Sequence, residues 1–367
     1  MRRARRAVVM VPAWHGQLTV EQLDAQAAAG ARPRTDYVEL AAELDADVMD
    51  MEYMQTRATR TARAVAARVG IVPGQITEAF VRSGQFEQVV ARADRLGLPL
   101  ALALKASRGR RDTVLVSVWL SRRKKAVFLR PGGAHTHLGA VVNYNSVQRD
   151  IAHRRLGVPA GKLHHARQPV DESFYRPEDV SPGDYVLAVG YEQRDYPTFL
   201  AAVRELDVDV EIAIGSTVLK ASGDVTDTFA PLVGSVGERL PERVTVHQQL
   251  PHRTLRDLYA RARLVVVPLL DVDFDPGVTV IAEAMAMGKA VVVTAARGQR
   301  DLVRHGVHGL YVPPGDPVAL RAAIRRLLDD PEEARRMGEA GRALAESELT
   351  LSGWVRDVAG IARAARR

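Results

Sequence analysis

The residues with the clearest chemical potential lie in the stretch Asp275-Pro-Gly-Val-Thr-Val-Ile-Ala-Glu283-Ala-Met-Ala-Met-Gly288-Lys-Ala-Val-Val-Val-Thr294. An apolar run ends at Pro268, an acidic loop follows, and helical spacing begins near Val278. Gly277 lets the backbone approach a ligand closely. The amides of Val278, Thr279 and Val280 then fall in a first helical turn, where they lack intrahelical acceptors and suit a diphosphate. Glu283, one turn further on, could accept two hydrogen bonds from vicinal hydroxyls, as on a ribose, and Asp275 could do the same for a second sugar. The same acidic groups could instead only complement the helix dipole.

The elements that must hold these residues are legible around them. Short apolar runs rich in β-branched residues alternate with amphipathic segments, which indicates βα units and parallel sheets. In the first half the pattern predicts strands at 7–11, 48–51, 114–118 and 140–144, with a weaker one near 163–166. Helices are predicted at 19–29, 37–44, 80–96, 121–129 and 147–156. Residues 59–97 hold no clear strand and read as a helical insertion facing the cleft. In the second half, strands at 185–189, 210–214, 244–246, 264–268 and 290–294 alternate with helices at 198–206, 253–261, 278–287 and 318–328. The chain beyond Pro331 reads as helical to its end. The turn-rich segment from Pro169 to Asp184 separates the halves. The expected division is 1–170, 171–345 and a helix over 346–367 that packs back on the N-terminal domain. Two consecutive doubly wound domains of this kind place a ligand cleft at their strand C-terminal ends.

With 367 residues, 47% apolar and 26% charged, the chain can bury a large core and is neither collagen-like nor disordered. Cysteine is absent, which excludes disulfides, thiolate metal sites and a cysteine nucleophile. The apolar stretch after the basic start, Ala7–Val11, is shorter than a signal peptide needs, so a cytoplasmic location is expected. Charge is unevenly spread: residues 1–170 carry a net +13 and residues 171–367 a net −6. Residues 53–170 hold 21 basic and 5 acidic side chains, with clusters at Arg108–Arg111 and Arg122–Lys125. Aromatic residues do not alternate with them, which argues against nucleic acid. Apart from an ordinary solvated face, this half could touch anionic lipid headgroups peripherally at the inner membrane surface, or attract an anionic acceptor.

Asp275–Thr294 is followed by Gly298-Gln-Arg-Asp-Leu-Val303, Gly306-Val-His-Gly-Leu-Tyr-Val-Pro-Pro-Gly-Asp316 and Arg336-Met-Gly. Together these segments closely resemble retaining glycosyltransferase family 4, and Pro169–Pro177 and Ser146–Asp150 resemble that family's hinge and the segment after its last N-terminal strand. The resemblance covers most of the C-terminal half and only the end of the N-terminal one. It implies the α/β GT-B fold: two Rossmann-like doubly wound domains facing a central cleft, with a nucleotide-diphosphate sugar on the C-terminal one. It further implies hexosyl transfer with retention, no metal and no cofactor beyond that co-substrate. Glu283 would hold the donor ribose. Asp275 stands where the family has a glutamate for hydroxyls of the transferred sugar. The family's paired Arg and Lys, which neutralise the diphosphate, are represented in Gly190–Pro197 by Arg194 alone. Gly16, with His15 beside it, matches one glycine of the family's N-terminal phosphate loop, and Leu250 sits where the base stacks. The acceptor is unassigned, with an anionic or lipid-linked molecule as the expectation.

Other patterns are weaker. Asp-x-Asp recurs at Asp45/Asp47, Asp207/Asp209, Asp271/Asp273 and Asp273/Asp275, too often to mark a metal site, and Asp271 and Asp273 read as solvated. His135/His137 and His164/His165 lack an obvious third ligand. No dinucleotide fingerprint follows the first strand, and Lys289 lacks a P-loop context. Two alternatives fit the same residues: a sugar-nucleotide epimerase on this fold, and a sugar-nucleotide-binding module without turnover.

Overall fold

The computed structural model describes residues 7–181, 183–215 and 240–366. Twelve strands among them form two six-stranded parallel sheets. The first runs β2-β1-β3-β4-β5-β6, with β1 at Ala7–Met10, β2 at Ala46–Met49, β3 at Gln88–Ala91, β4 at Thr113–Ser117, β5 at Leu138–Asn143 and β6 at Leu163–His165. The second runs β12-β11-β10-β7-β8-β9, with β7 at Tyr185–Val189, β8 at Asp209–Ile214, β9 at Val244–Gln248, β10 at Leu264–Val267, β11 at Val291–Thr294 and β12 at Gly309–Val312. Central strands such as Ala7–Met10, Leu264–Val267 and Val291–Thr294 are buried at every position. A parallel strand covered by helices on both faces requires this, and it explains their continuous Val-rich runs.

The chain divides into two compact units. One comprises residues 1–25, 34–166 and 352–367; the other comprises 26–33 and 167–351. The second unit thus takes in an eight-residue excursion from the N-terminal half. The last helix, Leu351–Ala365, lies almost wholly in the first unit. There Trp354 is 4% exposed and receives the Arg92 guanidinium over its ring at 4.8 Å, and Arg363 pairs with Glu43 at 2.8 Å.

Two expectations are corrected. Residues 59–97 are not a strandless insertion: after helices Arg60–Val69 and Ile71–Val81, the chain forms β3 in the middle of its sheet, between β1 and β4. The helix expected over 80–96 is therefore absent, and Asp94–Ala106 is helical instead. Gln88-Val-Val-Ala91 is four residues long and begins with a polar residue whose amide caps the Asp112 carbonyl at 2.9 Å, so its burial left no apolar run to see. Strand β12 also went unrecognised, because it opens on a glycine and offers only three apolar residues in a row.

In its own order of strands, the second sheet reads 3-2-1-4-5-6. The chain reverses direction across the sheet between β7 and β10, and ligands of such sheets bind beyond the strand C-termini at that point. The first sheet reverses between β1 and β3. Its β1 loop carries His15 and Gly16, both exposed.

Candidate functional site

Beyond the C-termini of β7 and β10, two loops are stitched together. The Leu270 amide donates to the Gln193 carbonyl at 2.9 Å, and the Asp195 amide donates to the Pro268 carbonyl at 3.0 Å. Asp195 also caps the following helix, Tyr196–Val203, through Thr198. This arrangement fixes Arg194. Its Nε donates to the Val189 carbonyl at 2.9 Å and Nη1 to the Glu192 carbonyl at 2.8 Å.

The rest of the guanidinium lies against two glycines. Gly190 (φ 95°) and Gly277 (φ 78°) both occupy the left-handed region. A Cβ on Gly190 would overlap the guanidinium, and one on Gly277 would stand 2.7 Å from Val267 Cγ1 and 3.4 Å from Arg194 Nη2. The guanidinium therefore rests at the start of helix Val278–Ala286 because neither position carries a side chain. Burial pulls the Arg194 pKa down, an effect partly offset by Tyr196, Tyr259 and Glu192. Among the described residues no carboxylate forms an ion pair with it.

At the helix start, the Val278 amide makes a long 3.4 Å contact to the Asp275 carbonyl. The Thr279 and Val280 amides belong to the first turn and have no acceptor within the helix. An anion at this point would meet a cation and helix amides together, in the arrangement that stabilises phosphates elsewhere. The end of the loop leading to it is packed, while its start at Leu270 and Asp271 is exposed. Phe274 is 3% and Asp275 5% exposed, and buried Gln299 donates to the Pro276 carbonyl at 3.2 Å. Asp271 is exposed, as expected, and is held at the surface by Arg297 through its amide (2.9 Å) and Nε (3.1 Å), which pulls its pKa down.

Glu283 follows on the same helix. Its Oε2 accepts the Tyr259 hydroxyl at 2.9 Å. Tyr259 is fully buried and meets the Tyr175 ring edge-on at 6.1 Å. Burial pushes the Glu283 pKa up to about 7, against the pull of Tyr259 and Tyr175 toward the charged form. Leu250, just beyond β9, packs against the core that contains Tyr259, Val280 and Val267.

Arg194, Leu250, Asp275, Gly277, Val278, Thr279, Val280 and Glu283 thus all lie in the second unit, whereas His15 and Gly16 lie in the first. The sequence reading missed Gly190, Gln299, Tyr175 and Tyr259. Gly190 carried a signal, as a glycine directly after a buried strand; the tyrosines carried none. Lys289 donates to the Ala260 carbonyl at 2.6 Å, a structural tie.

Residues 235–344 match the family model for glycosyl transferases group 1. The chain is 27% identical over 290 residues to an alpha-D-kanosaminyltransferase of Streptomyces kanamyceticus, covering 73% of this chain and 71% of that one. It is 33% identical over 194 residues to D-inositol 3-phosphate glycosyltransferase 1 of Catenulispora acidiphila, covering 48% and 45%. Its fold is shared by Anabaena HepE, solved with UDP and glucose (TM-score 0.69, 17% identity, 97% and 98% coverage). The sucrose-phosphate synthase of Thermosynechococcus elongatus shares it too (TM-score 0.71, 16% identity, 98% of each chain). The two parallel sheets and these neighbours define an α/β GT-B fold of two Rossmann-like domains. The matched segment and both named relatives are those of glycosyltransferases. Among the described residues no helix is long and apolar enough to cross a membrane, and no group of three or more His, Asp or Glu could hold a metal ion.

Proposed function

We propose that this chain is a retaining glycosyltransferase of family 4 type, which moves a hexosyl group from a nucleotide-diphosphate sugar to an acceptor hydroxyl without a metal ion. The observation that carries this reading is the Arg194 guanidinium, without a carboxylate ion pair among the described residues and lodged against Gly277 at the start of the helix that also bears Glu283. The reaction breaks the bond between the anomeric carbon and the phosphate oxygen, and negative charge grows on the departing diphosphate. Arg194 and the Val278, Thr279 and Val280 amides stabilise that charge where it develops. Glu283 accepts from the ribose hydroxyls, Asp275 orients the transferred sugar, and Leu250 packs on the base. The acceptor oxygen bonds to the anomeric carbon from the face the phosphate leaves, and its proton passes to a phosphate oxygen. The acceptor is an anionic or lipid-linked molecule drawn by the basic first unit, and the protein works in the cytoplasm, peripherally at the inner membrane face.

The relatives named above are transferases, which favours this reading over an epimerase or a module without turnover. UDP-glucose, a ligand of the HepE neighbour, is the first donor to test. A donor bound at a hundred times its dissociation constant should stabilise the fold by about 2.7 kcal/mol. Donor turnover should survive EDTA. Loss of turnover restored by magnesium or manganese would remove the metal-free mechanism, and a donor screen with no thermal shift would remove the donor site.

A further inference from the structure

At the N-terminal edge of the first unit's sheet, away from the strand ends where doubly wound sheets bind ligands, five basic side chains converge on one turn. Residues Gly132–Leu138 join helix Arg123–Leu129 to β5 through the short helix Ala134–His137. Lys105, at the end of helix Asp94–Ala106, donates to the Gly132 carbonyl at 2.8 Å and lies over Gly133. Lys162 reaches the turn from the other side, donating to the His135 carbonyl at 3.0 Å and the Leu138 carbonyl at 2.6 Å. His135 and His137 are on the turn itself. Arg111 completes the group: the register pairs Thr113 with Leu138, and a Cβ on Gly139 would stand 2.9 Å from Asp112 Cα. The start of β4 is thereby set beside His137.

The nearby carboxylates are committed elsewhere, Asp112 to Arg110 and Asp94 to Lys125. Among the described residues, Lys105, Arg111, His135, His137 and Lys162 form no ion pair with a carboxylate. His137 is 4% exposed. Its Nδ1 meets the Thr136 hydroxyl at 2.8 Å, and its Nε2 has no hydrogen-bond partner. Cations gathered without a counter-ion repel one another. The repulsion is visible in His137 and Lys162: burial first, then the neighbouring Arg111, holds both below their usual pKa values. A fold keeps such a cluster at a cost, and an anion that reaches all of it removes that cost.

We propose that Lys105, Arg111, His135, His137 and Lys162 form a second anion site, separate from the donor site, which takes a phosphate or diphosphate group. Lys105 and Arg111 are exposed and open to an arriving anion, while His137 closes the inner side. The phosphate can belong to a soluble molecule or to a lipid headgroup, and the two sources separate experimentally.

Inorganic pyrophosphate titrated calorimetrically into Arg194→Ala protein, whose donor site is disabled, isolates the cluster. Saturable binding is expected, and adding Lys105→Gln and Arg111→Gln should weaken it at least about tenfold, since charge-assisted hydrogen bonds are lost. Pyrophosphate should raise the melting temperature of the parent and not of the triple variant. Without the anion the triple variant should melt no lower than its parent, because repulsion is relieved; Arg111→Gln alone serves if it does. In the lipid arm, wild-type protein is sedimented with vesicles of phosphatidylglycerol and phosphatidylcholine, and with phosphatidylcholine alone. Binding only to the anionic vesicles, lost in Lys105→Gln/Arg111→Gln, without pyrophosphate binding, assigns the phosphate to a lipid. The proposal is overturned if the Lys105→Gln/Arg111→Gln changes leave both pyrophosphate and vesicle binding unaltered, or if pyrophosphate does not bind the Arg194→Ala protein and anionic vesicles do not bind the wild type.

Discussion

Two arginines, one in each unit, spend their guanidinium groups differently. Arg110, in the first unit, grips both Asp112 oxygens and the carbonyls of Ser83, Phe86 and Glu87. Nothing of it remains for a ligand. Arg194, in the second, uses two donors on its own loop and turns the rest toward a helix start between two glycines. Formal charge therefore says little about available charge. The 27 basic side chains of residues 1–170 overstate what is open to a ligand, because some, such as Arg110 and Lys125, are already paired with carboxylates. The single Arg194 is worth more than its number suggests.

Paired substitutions break this comparison most sharply. Arg194→Ala should lower transfer by about 10²–10³-fold, the usual effect of losing one preorganised donor to a developing charge, with little change in melting temperature. Arg110→Ala should do the reverse. It strands Asp112 and three carbonyls, so stability should fall by roughly 1–3 kcal/mol, while turnover of the folded fraction holds. Steady-state kinetics beside thermal unfolding reads both. If Arg194→Ala keeps more than a tenth of wild-type turnover, Arg194 does not carry the leaving group.

Much of the donor unit was legible because its chemistry is local in sequence. Gly277 and Glu283 lie on one loop–helix segment, where spacing alone fixes their order, and the strands flanking them are uninterrupted Val runs. Arg194 was visible only as a cation after a strand. Its placement depends on the pairing of the β7 and β10 loops across about 75 residues of sequence, which no local pattern encodes. Tyr259 reached Glu283 by the same non-local route. In the first unit, four-residue β3 with its polar lead was hidden, and so was the excursion of residues 26–33 into the second unit. The convergence of Lys105, Arg111 and Lys162 on one turn was hidden because a helix end, a strand start and a short connecting helix meet there.

Glu283 offers a finer probe of the donor unit. Glu283→Gln keeps the shape and removes the charge, so nucleotide-diphosphate affinity should fall about 10- to 150-fold, the equivalent of a hydrogen bond to a charged group. The wild-type carboxyl has a pKa of about 7, and ribose hydroxyls donate more strongly to its ionised form than to its protonated one. Affinity should therefore rise by up to about tenfold from pH 6 to pH 8, as the ionised fraction grows. The Gln variant subtracts the titration of the phosphates themselves. Stability of the unliganded protein should move oppositely. A carboxyl whose folded pKa is raised stabilises at low pH and loses that contribution as pH rises from about 4.5 through about 7. Equal nucleotide affinity in both proteins at pH 8 would place the ribose elsewhere.

The smallest expected effect tests whether Glu283 is tuned by its neighbour. Tyr259 donates to Oε2 and so favours the ionised carboxyl. Tyr259→Phe removes that hydroxyl and leaves the ring, with its edge contact to Tyr175, in place. The ionised form loses a hydrogen bond while the protonated form loses little. The Glu283 pKa should therefore rise further, and the midpoint of the affinity profile should move to higher pH by up to about one unit. Near pH 7 nucleotide binding should weaken about two- to tenfold, and at pH 9 it should converge on wild type. A packing defect would instead weaken binding equally at every pH. An unshifted midpoint would mean that Tyr259 only fills space, and that the affinity of this unit for a ribose is set by Glu283 and its burial alone.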